Sequence, residues 1–353
     1  MKYKNTITIN GNEFSFEQNE TILQVAERHG IDIPTLCYLK GSAPTGACRI
    51  CLVEVEGARS LVASCSTPAA PNMVIKTDSK RVIQSRKINL ELLLSSGHHN
   101  CTTCEANGDC HLQDIAYKYQ IEEVRFPESK SKYPAETSSV MIARDFSRCI
   151  LCGRCVQACN EVQVNKAISY GYRGVDSKIV ATGDFPLNES DCVFCGECVQ
   201  SCPVGALIAK PSRFLGRPWE TKKVQSVCSY CGVGCRVNLH VKDNEIIKVT
   251  GVEEVPPNFG SLCVKGRFGY DFINHPDRLT TPLIKENGSF RKSSWDEALA
   301  LVAGKLNEIK SNYGPDAIGL FSSAKITNEE NYIAQKFART ALGTNNVDHC
   351  ARL

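Results

Sequence analysis

Cysteine is the residue that most limits how this chain can fold. The sequence of 353 residues contains 20 cysteines, and all but one belong to five groups that are each built around a Cys-x2-Cys pair. Such a chain is either a secreted disulfide framework or a protein whose reduced thiols bind metal. Bunched thiols suit a shared metal centre, and the N-terminus lacks the apolar core of a signal peptide. We therefore expect metal-binding cysteines in a cytoplasmic protein.

The overall composition is that of an ordinary globular chain. It is 42% hydrophobic and 22% charged, and its net charge of +3 is too small to indicate nucleic acid or an anionic membrane surface as a partner. No stretch approaches the length of an uncharged transmembrane helix. The length predicts several domains, with no nucleic-acid partner and no membrane span.

The first 80 residues show strands around one helix. Asn10-Gly11 separates two alternating stretches and predicts a hairpin. A short helix is predicted over residues 21–29, and further strands over 50–55 and 74–76. This pattern predicts a β-grasp domain of the small-ferredoxin kind.

The rest of the chain divides where the pattern changes. A helix is predicted over residues 80–96, and a polar linker that contains two prolines over 126–139. Capping boxes at Ser294 and Thr327 open two helices around a strand predicted at residues 317–321, as at the start of an α/β domain. The predicted fold is therefore multidomain α+β, with a last part too short to complete such a domain. The predicted parts are residues 1–80, 81–125, 140–217, 221–278 and 279–353.

The first cysteine group suits a 2Fe-2S cluster. A loop thiol, a close pair and a distant fourth thiol on a β-grasp domain can surround two irons, although the spacing differs from the plant-type pattern. A zinc site is the alternative. The candidate ligands are Cys37, Cys48, Cys51 and Cys65.

The third and fourth groups form an internal repeat. Each reads Cys-x2-Cys-x2-Cys-x3-Cys, and Pro203 follows the second. This is the run of bacterial two-cluster ferredoxins, in which the fourth cysteine ligates the other cluster. One 4Fe-4S cluster is therefore assigned to Cys149, Cys152, Cys155 and Cys202, and the other to Cys192, Cys195, Cys198 and Cys159.

The second group has three cysteines after two adjacent histidines. With the first group, it resembles the N-terminal cluster domains of the large iron–sulfur subunit of respiratory complex I and of FeFe-hydrogenases, where one histidine and three cysteines hold a 4Fe-4S cluster. In those families the histidine stands four residues before the first cysteine, a position that Gly97 occupies here. The resemblance implies a cluster bound by His98, Cys101, Cys104 and Cys110, with His99 as the alternative to His98.

The fifth group opens a different part of the chain. Its surroundings resemble the molybdopterin oxidoreductases and, within them, the formate dehydrogenases, whose catalytic subunit begins with a 4Fe-4S cluster. That cluster lies beside a molybdenum or tungsten bis(pyranopterin guanine dinucleotide), and the residue that matches Lys265 lies between the two. The resemblance implies an electron relay through Lys265. It also implies a cluster bound by Cys228, Cys231, Cys235 and Cys263.

The resemblance continues to the last residue, Leu353. In formate dehydrogenases the next residue is the metal-ligating selenocysteine or cysteine, so we expect the native chain to continue through a UGA-encoded selenocysteine. The pterin cofactor is accordingly expected only in a full-length form, and residues 1–353 are not expected to oxidise formate alone. Cys350, the cysteine outside the five groups, falls four positions before that ligand and is interpreted as structural.

The resemblance implies an oxidoreductase: the electron-transfer part of a formate dehydrogenase with one 2Fe-2S and four 4Fe-4S clusters. Since the sequence lacks a Gly-rich dinucleotide fingerprint, the expected partner is a flavin- and cluster-containing NAD(P)H-oxidising subunit. Ferredoxin or hydrogenase subunits are further candidates. Two alternatives remain: a relay subunit without pterin in a bifurcating or hydrogenase-type complex, and another pterin oxidoreductase such as a nitrate reductase.

Overall fold

The chain folds into two units, residues 1–221 and 222–353. The structure, a computed structural model, describes residues 5–129 and 133–351. The strands are β1 (Thr6–Ile9), β2 (Asn12–Ser15), β3 (Leu52–Val55), β4 (Val62–Ala63), β5 (Val74–Lys76), β6 (Ile142–Arg144), β7 (Ile168–Gly171), β8 (Lys178–Ala181), β9 (Leu207–Ala209), β10 (Lys222–Val227), β11 (Arg236–Lys242), β12 (Glu245–Gly251), β13 (Leu283–Glu286), β14 (Ser289–Lys292), β15 (Leu320–Ser322) and β16 (Val347–His349). The α-helices are α1 (Ile22–Arg28), α2 (Lys80–Ser95), α3 (His111–Lys118), α4 (Arg154–Gln157), α5 (Glu197–Ser201), α6 (Val264–Phe268), α7 (Trp295–Tyr313) and α8 (Asn328–Phe337).

The first unit begins with a five-stranded sheet in the order β2-β1-β5-β3-β4, in which β1 and β5 run parallel and the other neighbours antiparallel. Asn10 and Gly11 turn the first hairpin with φ of 50° and 86°, the left-handed conformation that this dipeptide favours. Thr21 and Gln24 form a reciprocal capping box at the start of α1. The predicted hairpin, helix and β-grasp fold are confirmed. The core between sheet and helix contains Ile7, Ile9, Ile22, Leu23, Val25, Val53 and Ile75.

A second apolar core joins this β-grasp domain to the next cysteine regions. The loop before β3, both α2 and α3, and the ferredoxin-like repeat all contribute to it. Arg86 of α2 is buried there and donates to the Leu52 carbonyl and the Tyr119 hydroxyl, both at 2.7 Å. Thiols from four of the five cysteine groups therefore belong to one packed body. Its buried members are Leu36, Cys37, Cys48, Ile50, Leu90, Leu112, Ile115, Ile150, Cys152, Val204 and Ala206, with Cys110, Cys149 and Cys202 packed against them.

Two short helices carry the repeated cysteine runs. α4 and α5 each follow a glycine in the left-handed conformation, Gly153 with φ 80° and Gly196 with φ 72°. Strand β6 pairs antiparallel with β9, and β7 with β8. The two runs therefore fold alike, and the β7–β8 hairpin, which the sequence reasoning did not predict, lies between them in the chain.

The second unit begins with the antiparallel sheet β10-β11-β12. Val237, Val249 and Leu262 form a small core against which Cys228 and Cys235 pack. The sequence predicts strands over residues 236–241 and 245–250, and they are found as β11 and β12. Strand β10 was not predicted, because its residues are mostly exposed and do not alternate.

The α/β part of this unit follows the hairpin β13–β14, and β15 and β16 pair in parallel. The helix predicted at Ser294 is found, although only half of its capping box forms, because the Glu297 side chain pairs with Arg291 instead. Thr327 and Glu330 form a complete box at α8. The strand predicted at residues 317–321 starts at Leu320, because Pro315–Ala317 form a 3-10 turn.

The predicted linker at residues 126–139 packs more closely than a free connection. Residues 130–132 lie outside the described residues. On either side of them, Ser129 donates to the Ser95 carbonyl at 2.7 Å and the Tyr133 hydroxyl to the Asp176 carbonyl at 2.8 Å. None of the described helices combines the length and the apolar character that crossing a bilayer requires.

Candidate iron–sulfur sites

The first site lies where the β-grasp sheet meets the second core. Cys37, Cys51 and Cys65 are each 1% exposed, and the Sγ atoms of Cys51 and Cys65 are 3.3 Å apart. Hydrogen bonds from Cys48 and Cys65 lower the pKa of Cys37, and one from Cys65 lowers the pKa of Cys51 to about 6. Four buried thiolates would repel one another, so this donor set requires a cation to offset their charge. Thiolate-bound irons satisfy that requirement.

Strained backbone marks the Cys-x2-Cys loops of three groups. Arg49, Leu151 and Phe194 have φ of 57°, 50° and 53°, which side chains with a Cβ rarely adopt. Each stands between two candidate ligands. Such strain persists where the surrounding structure requires it, and it is concentrated at functional sites.

The second site lies on an exposed loop. Cys104 is buried, Cys110 is half-buried and Cys101 is exposed. Burial raises the pKa of Cys110 to about 11. A Cβ added at Gly205 would lie 2.4 Å from the Cys104 sulfur, so the segment that follows Cys202 packs directly against this site.

The two histidines beside this loop differ in their surroundings. His98 is exposed, and its Nδ1 pairs with Glu128 at 3.1 Å. The His99 ring hydrogen-bonds to the Leu93 backbone, while its Nε2 is buried and, within the described part of the chain, has no partner. Burial lowers the pKa of His99 and so favours the neutral ring. A metal-binding histidine is neutral and is usually oriented through its other nitrogen. The sequence reasoning preferred His98, whereas this geometry favours His99.

The third and fourth groups surround one space. All eight of their cysteines line a single cavity together with apolar side chains such as Ile142, Ile168 and Leu187. Among the described residues, no three Cys, His, Asp or Glu side chains converge where one metal ion would sit. The eight thiols of the repeat thus surround a shared volume.

The thiols of the repeat interact across its two runs. Burial raises the pKa of Cys149 to about 11, and the thiol of Cys202 adds to this shift. Burial also raises the pKa of Cys192, with contributions from Cys195 and Cys159. Each fourth cysteine thus lies near the first cysteine of the other run, as the crossed assignment expects.

Backbone N–H groups point at sulfur in both runs. Leu151 and Phe194 donate to Cys149 and Cys192 at 3.4 Å, and Ala167 donates to Cys159 at 3.3 Å. Such donors stabilise thiolates. At Cys149 and Cys192 they oppose burial, which raises the pKa of both thiols.

The fifth site lies beside the β10-β11-β12 sheet. The Cys228 N–H donates to the Cys235 carbonyl at 2.9 Å, and burial raises the pKa of Cys228, with Cys263 and Cys231 adding to it. Cys263 is exposed and caps α6. Lys265 follows on that helix and is also exposed.

Cys350 belongs to none of the five cysteine groups. It is exposed, and its sulfur is 3.6 Å from the Ser323 hydroxyl.

Sequence reasoning missed the residues that hold the second site in place. Arg217 donates to the carbonyls of Cys104 at 2.5 Å and Thr102 at 3.1 Å, and Gly205 provides the space for the Cys104 sulfur. An arginine far along the chain has no local signal, but a glycine three residues after the last cysteine of a cluster run could have suggested a close approach.

Five families match consecutive parts of the chain. Their descriptions are a 2Fe-2S iron–sulfur cluster binding domain (residues 4–80), the NADH-ubiquinone oxidoreductase-G iron–sulfur binding region (86–125), a 4Fe-4S dicluster domain (148–206), the molybdopterin oxidoreductase Fe4S4 domain (221–275) and molybdopterin oxidoreductase (278–353).

Curated relatives carry three kinds of name. The NADPH-Fe(3+) oxidoreductase subunit alpha of Geobacter sulfurreducens is 38% identical over 99% of this chain. An NADH-quinone oxidoreductase subunit of Rhizobium meliloti and the "Putative formate dehydrogenase YrhE" of Bacillus subtilis are each 37% identical over 98%. The chain spans 40% of the length of each of these relatives.

A solved structure shares part of the fold. A chain of an NAD+-reducing NiFe-hydrogenase in the H2-reduced state is 32% identical, with a TM-score of 0.57, over 60% of this chain and 89% of that chain.

Fold and cysteine sites together define an iron–sulfur oxidoreductase polypeptide. The chain belongs to the molybdopterin oxidoreductase family, in the group whose N-terminal region carries 2Fe-2S, NADH-ubiquinone oxidoreductase-G and dicluster iron–sulfur domains.

Proposed function

We propose that this chain is the electron-transfer region of a formate dehydrogenase, which interconverts formate and carbon dioxide and exchanges electrons with a flavin- and cluster-containing NAD(P)H-linked subunit. The observation that carries the proposal is that eight thiols line one cavity, beside two further thiol sites in the same packed body. Bound clusters would each take up and release one electron at a time.

The proposed ligands are those that each site brings together. Iron would be held as 2Fe-2S at the first site and as 4Fe-4S at the other four. We propose His99 rather than His98 as the nitrogen ligand, because His99 alone of the pair has a buried, unpartnered nitrogen among the described residues. The sets are Cys37, Cys48, Cys51 and Cys65; His99, Cys101, Cys104 and Cys110; Cys149, Cys152, Cys155 and Cys202; Cys159, Cys192, Cys195 and Cys198; and Cys228, Cys231, Cys235 and Cys263.

Formate as the substrate is supported by the name of a relative that is 37% identical and by the match of residues 278–353 to molybdopterin oxidoreductase. Lys265 stands two residues after Cys263, on the exposed side of α6, and is proposed to face the pterin of the whole protein. The metal there would be molybdenum or tungsten.

A direct test uses the native protein that contains these residues, purified without oxygen. If the proposal holds, added formate reduces the clusters, which then give electron paramagnetic resonance (EPR) signals, and metal analysis finds molybdenum or tungsten. Dithionite serves as the control that all clusters can be reduced. Clusters that dithionite reduces but formate does not would contradict the assignment to formate.

A relay subunit without pterin is the second candidate. The likeness to 89% of a chain from an NAD+-reducing hydrogenase favours it, because it extends over almost the whole of that chain. The same experiment distinguishes the two. Reduction by NADH or NADPH with its flavin partner, no response to formate, and no molybdenum or tungsten would establish the relay.

A further inference from the structure

The two runs of the ferredoxin-like repeat carry opposite charges at the same position. Cys152-Gly153-Arg154-Cys155 in the first run corresponds to Cys195-Gly196-Glu197-Cys198 in the second. Arg154 and Glu197 are the first residues of α4 and α5, and each follows a glycine in the left-handed conformation. Because the local backbone is alike, the two side chains leave their loops from equivalent places, each between two thiols.

The charge of Arg154 is close to the thiols of its own site. Its Nε is buried and, among the described residues, has no hydrogen-bond partner. Burial raises the pKa of Cys152 to about 12, and Arg154 acts in the opposite direction on both Cys152 and Cys202. An arginine remains charged under all ordinary conditions, so this positive charge is permanent.

A second pair of residues has the same signs but a smaller expected effect. Arg148 precedes the first cysteine of the first run, and Asp191 precedes that of the second. Arg148 forms an ion pair with Asp145 at 2.9 Å, which offsets its charge. Asp191 is exposed, where solvent screens it.

Another arginine lies near the second run, but it does not remove the difference in charge between the two runs. Arg144 acts on Cys192, but it is paired with the carboxylate of Glu136, and both side chains are largely buried. The Arg144–Glu136 pair therefore has little net electrostatic effect on the thiols. The charge that sets the first site apart is therefore that of Arg154.

We infer that Arg154 makes the site of Cys149, Cys152, Cys155 and Cys202 hold an added electron more tightly than its twin, where Glu197 stands at the corresponding position. The inference rests on the proposed function, because both sites must hold 4Fe-4S clusters. Reduction adds one negative charge and makes or breaks no bond. A unit charge about 12 Å away at an effective dielectric constant of about 20 changes the ratio of reduced to oxidised cluster roughly tenfold.

The test is a redox titration of the whole chain, with dithionite as the reductant and EPR as the readout. Arg154→Gln is expected to affect the 4Fe-4S step at the less negative potential and to lower its reduced-to-oxidised ratio at a fixed potential roughly tenfold. Glu197→Gln, at the corresponding position of the second run, should leave this less negative step unchanged. Arg173→Gln removes the same charge from an exposed position between the two runs, and it should move neither step.

The iron content of each variant is measured first, so that loss of a cluster is not mistaken for a change in its reduction potential. Arg154→Lys keeps the charge and should restore the wild-type ratio. If Arg154→Gln with full iron content moves the more negative step, or moves neither step, the inference alone is overturned. A wild-type chain without two 4Fe-4S signals from this repeat would overturn the proposed function as well.

Discussion

The cysteine sites of the two units have different surroundings. In the first unit, Cys37, Cys51 and Cys65 are each 1% exposed, and thiols of four groups share one apolar core. In the second unit, Cys263 is exposed and neither α7 nor α8 contains a buried residue. A cluster in the first unit is therefore part of what holds the unit together, whereas one in the second unit is attached to a small sheet. Removing a ligand should have different consequences in the two places.

The largest expected effect comes from removing a ligand in the buried repeat. Cys155→Ser should remove about four irons per chain and destabilise the first unit by about 3 kcal/mol or more, because the cluster contributes folding free energy and Cys155 is buried. Cys263→Ser should remove as much iron yet leave the unfolding of the first unit unchanged. Iron analysis measures the loss of iron, and thermal unfolding measures the change in stability. Cys350→Ser is the control that should lose no iron. Equal destabilisation by the first two variants would contradict the contrast between the units.

When a chelator has removed the iron, the free energy of unfolding should depend on pH, because thiols of the repeat are buried. Burial raises the pKa of the Cys149 thiol from 9.0 to about 11, so the folded state favours the protonated form. This contribution, about 1 to 3 kcal/mol, is complete below pH 9 and is lost as the pH rises to about 11. Urea unfolding between pH 8 and 11 measures it. The iron-loaded chain should show no such loss from these thiols, since iron holds them as thiolates, and an identical pH profile for both forms would contradict the account.

A smaller effect is expected from filling the space beside Cys104. In Gly205→Ala, the new Cβ would lie 2.4 Å from the Cys104 sulfur, which must move. We expect a loss of about 1 to 2 kcal/mol in stability and a weakened second site. Gly304→Ala in α7 is the matched control, because nothing lies within 4 Å of the added atom and alanine favours a helix by about 1 kcal/mol. Full iron content and unchanged stability in Gly205→Ala would show that this close approach does not matter.

The smallest change in stability, less than about 1 kcal/mol, is expected at the two histidines, because their loop is exposed. His99→Ala should change the EPR signal of the second cluster or convert it to a three-iron form, since one iron loses its nitrogen ligand. His98→Ala should lose only the exposed pairing with Glu128. If His98→Ala changes the EPR signal and His99→Ala does not, the ligand is His98, the histidine that the sequence reasoning preferred.

Much of this architecture can be predicted from sequence because it depends on local spacing. The Asn10-Gly11 turn, the Thr21 and Thr327 capping boxes and the cysteine runs all act within a few residues, and the structure contains each of them. The crossed contacts of Cys159 and Cys202 follow from a known repeat.

The remaining features depend on contacts between distant parts of the chain. The choice of His99 over His98 depends on which ring turns inward, and Arg217 reaches its carbonyls from more than 100 positions away. Strand β16 pairs with β15 although its exposed residues lack alternation, so only the tertiary structure reveals it.

The central claim is that these five cysteine groups hold iron–sulfur clusters, and the most direct test is to quantify iron, acid-labile sulfide and zinc in the anaerobically purified chain. The account predicts about 18 irons and about 18 sulfides per chain, the sum for one 2Fe-2S and four 4Fe-4S clusters. A chain that contains zinc with little or no acid-labile sulfide would contradict it.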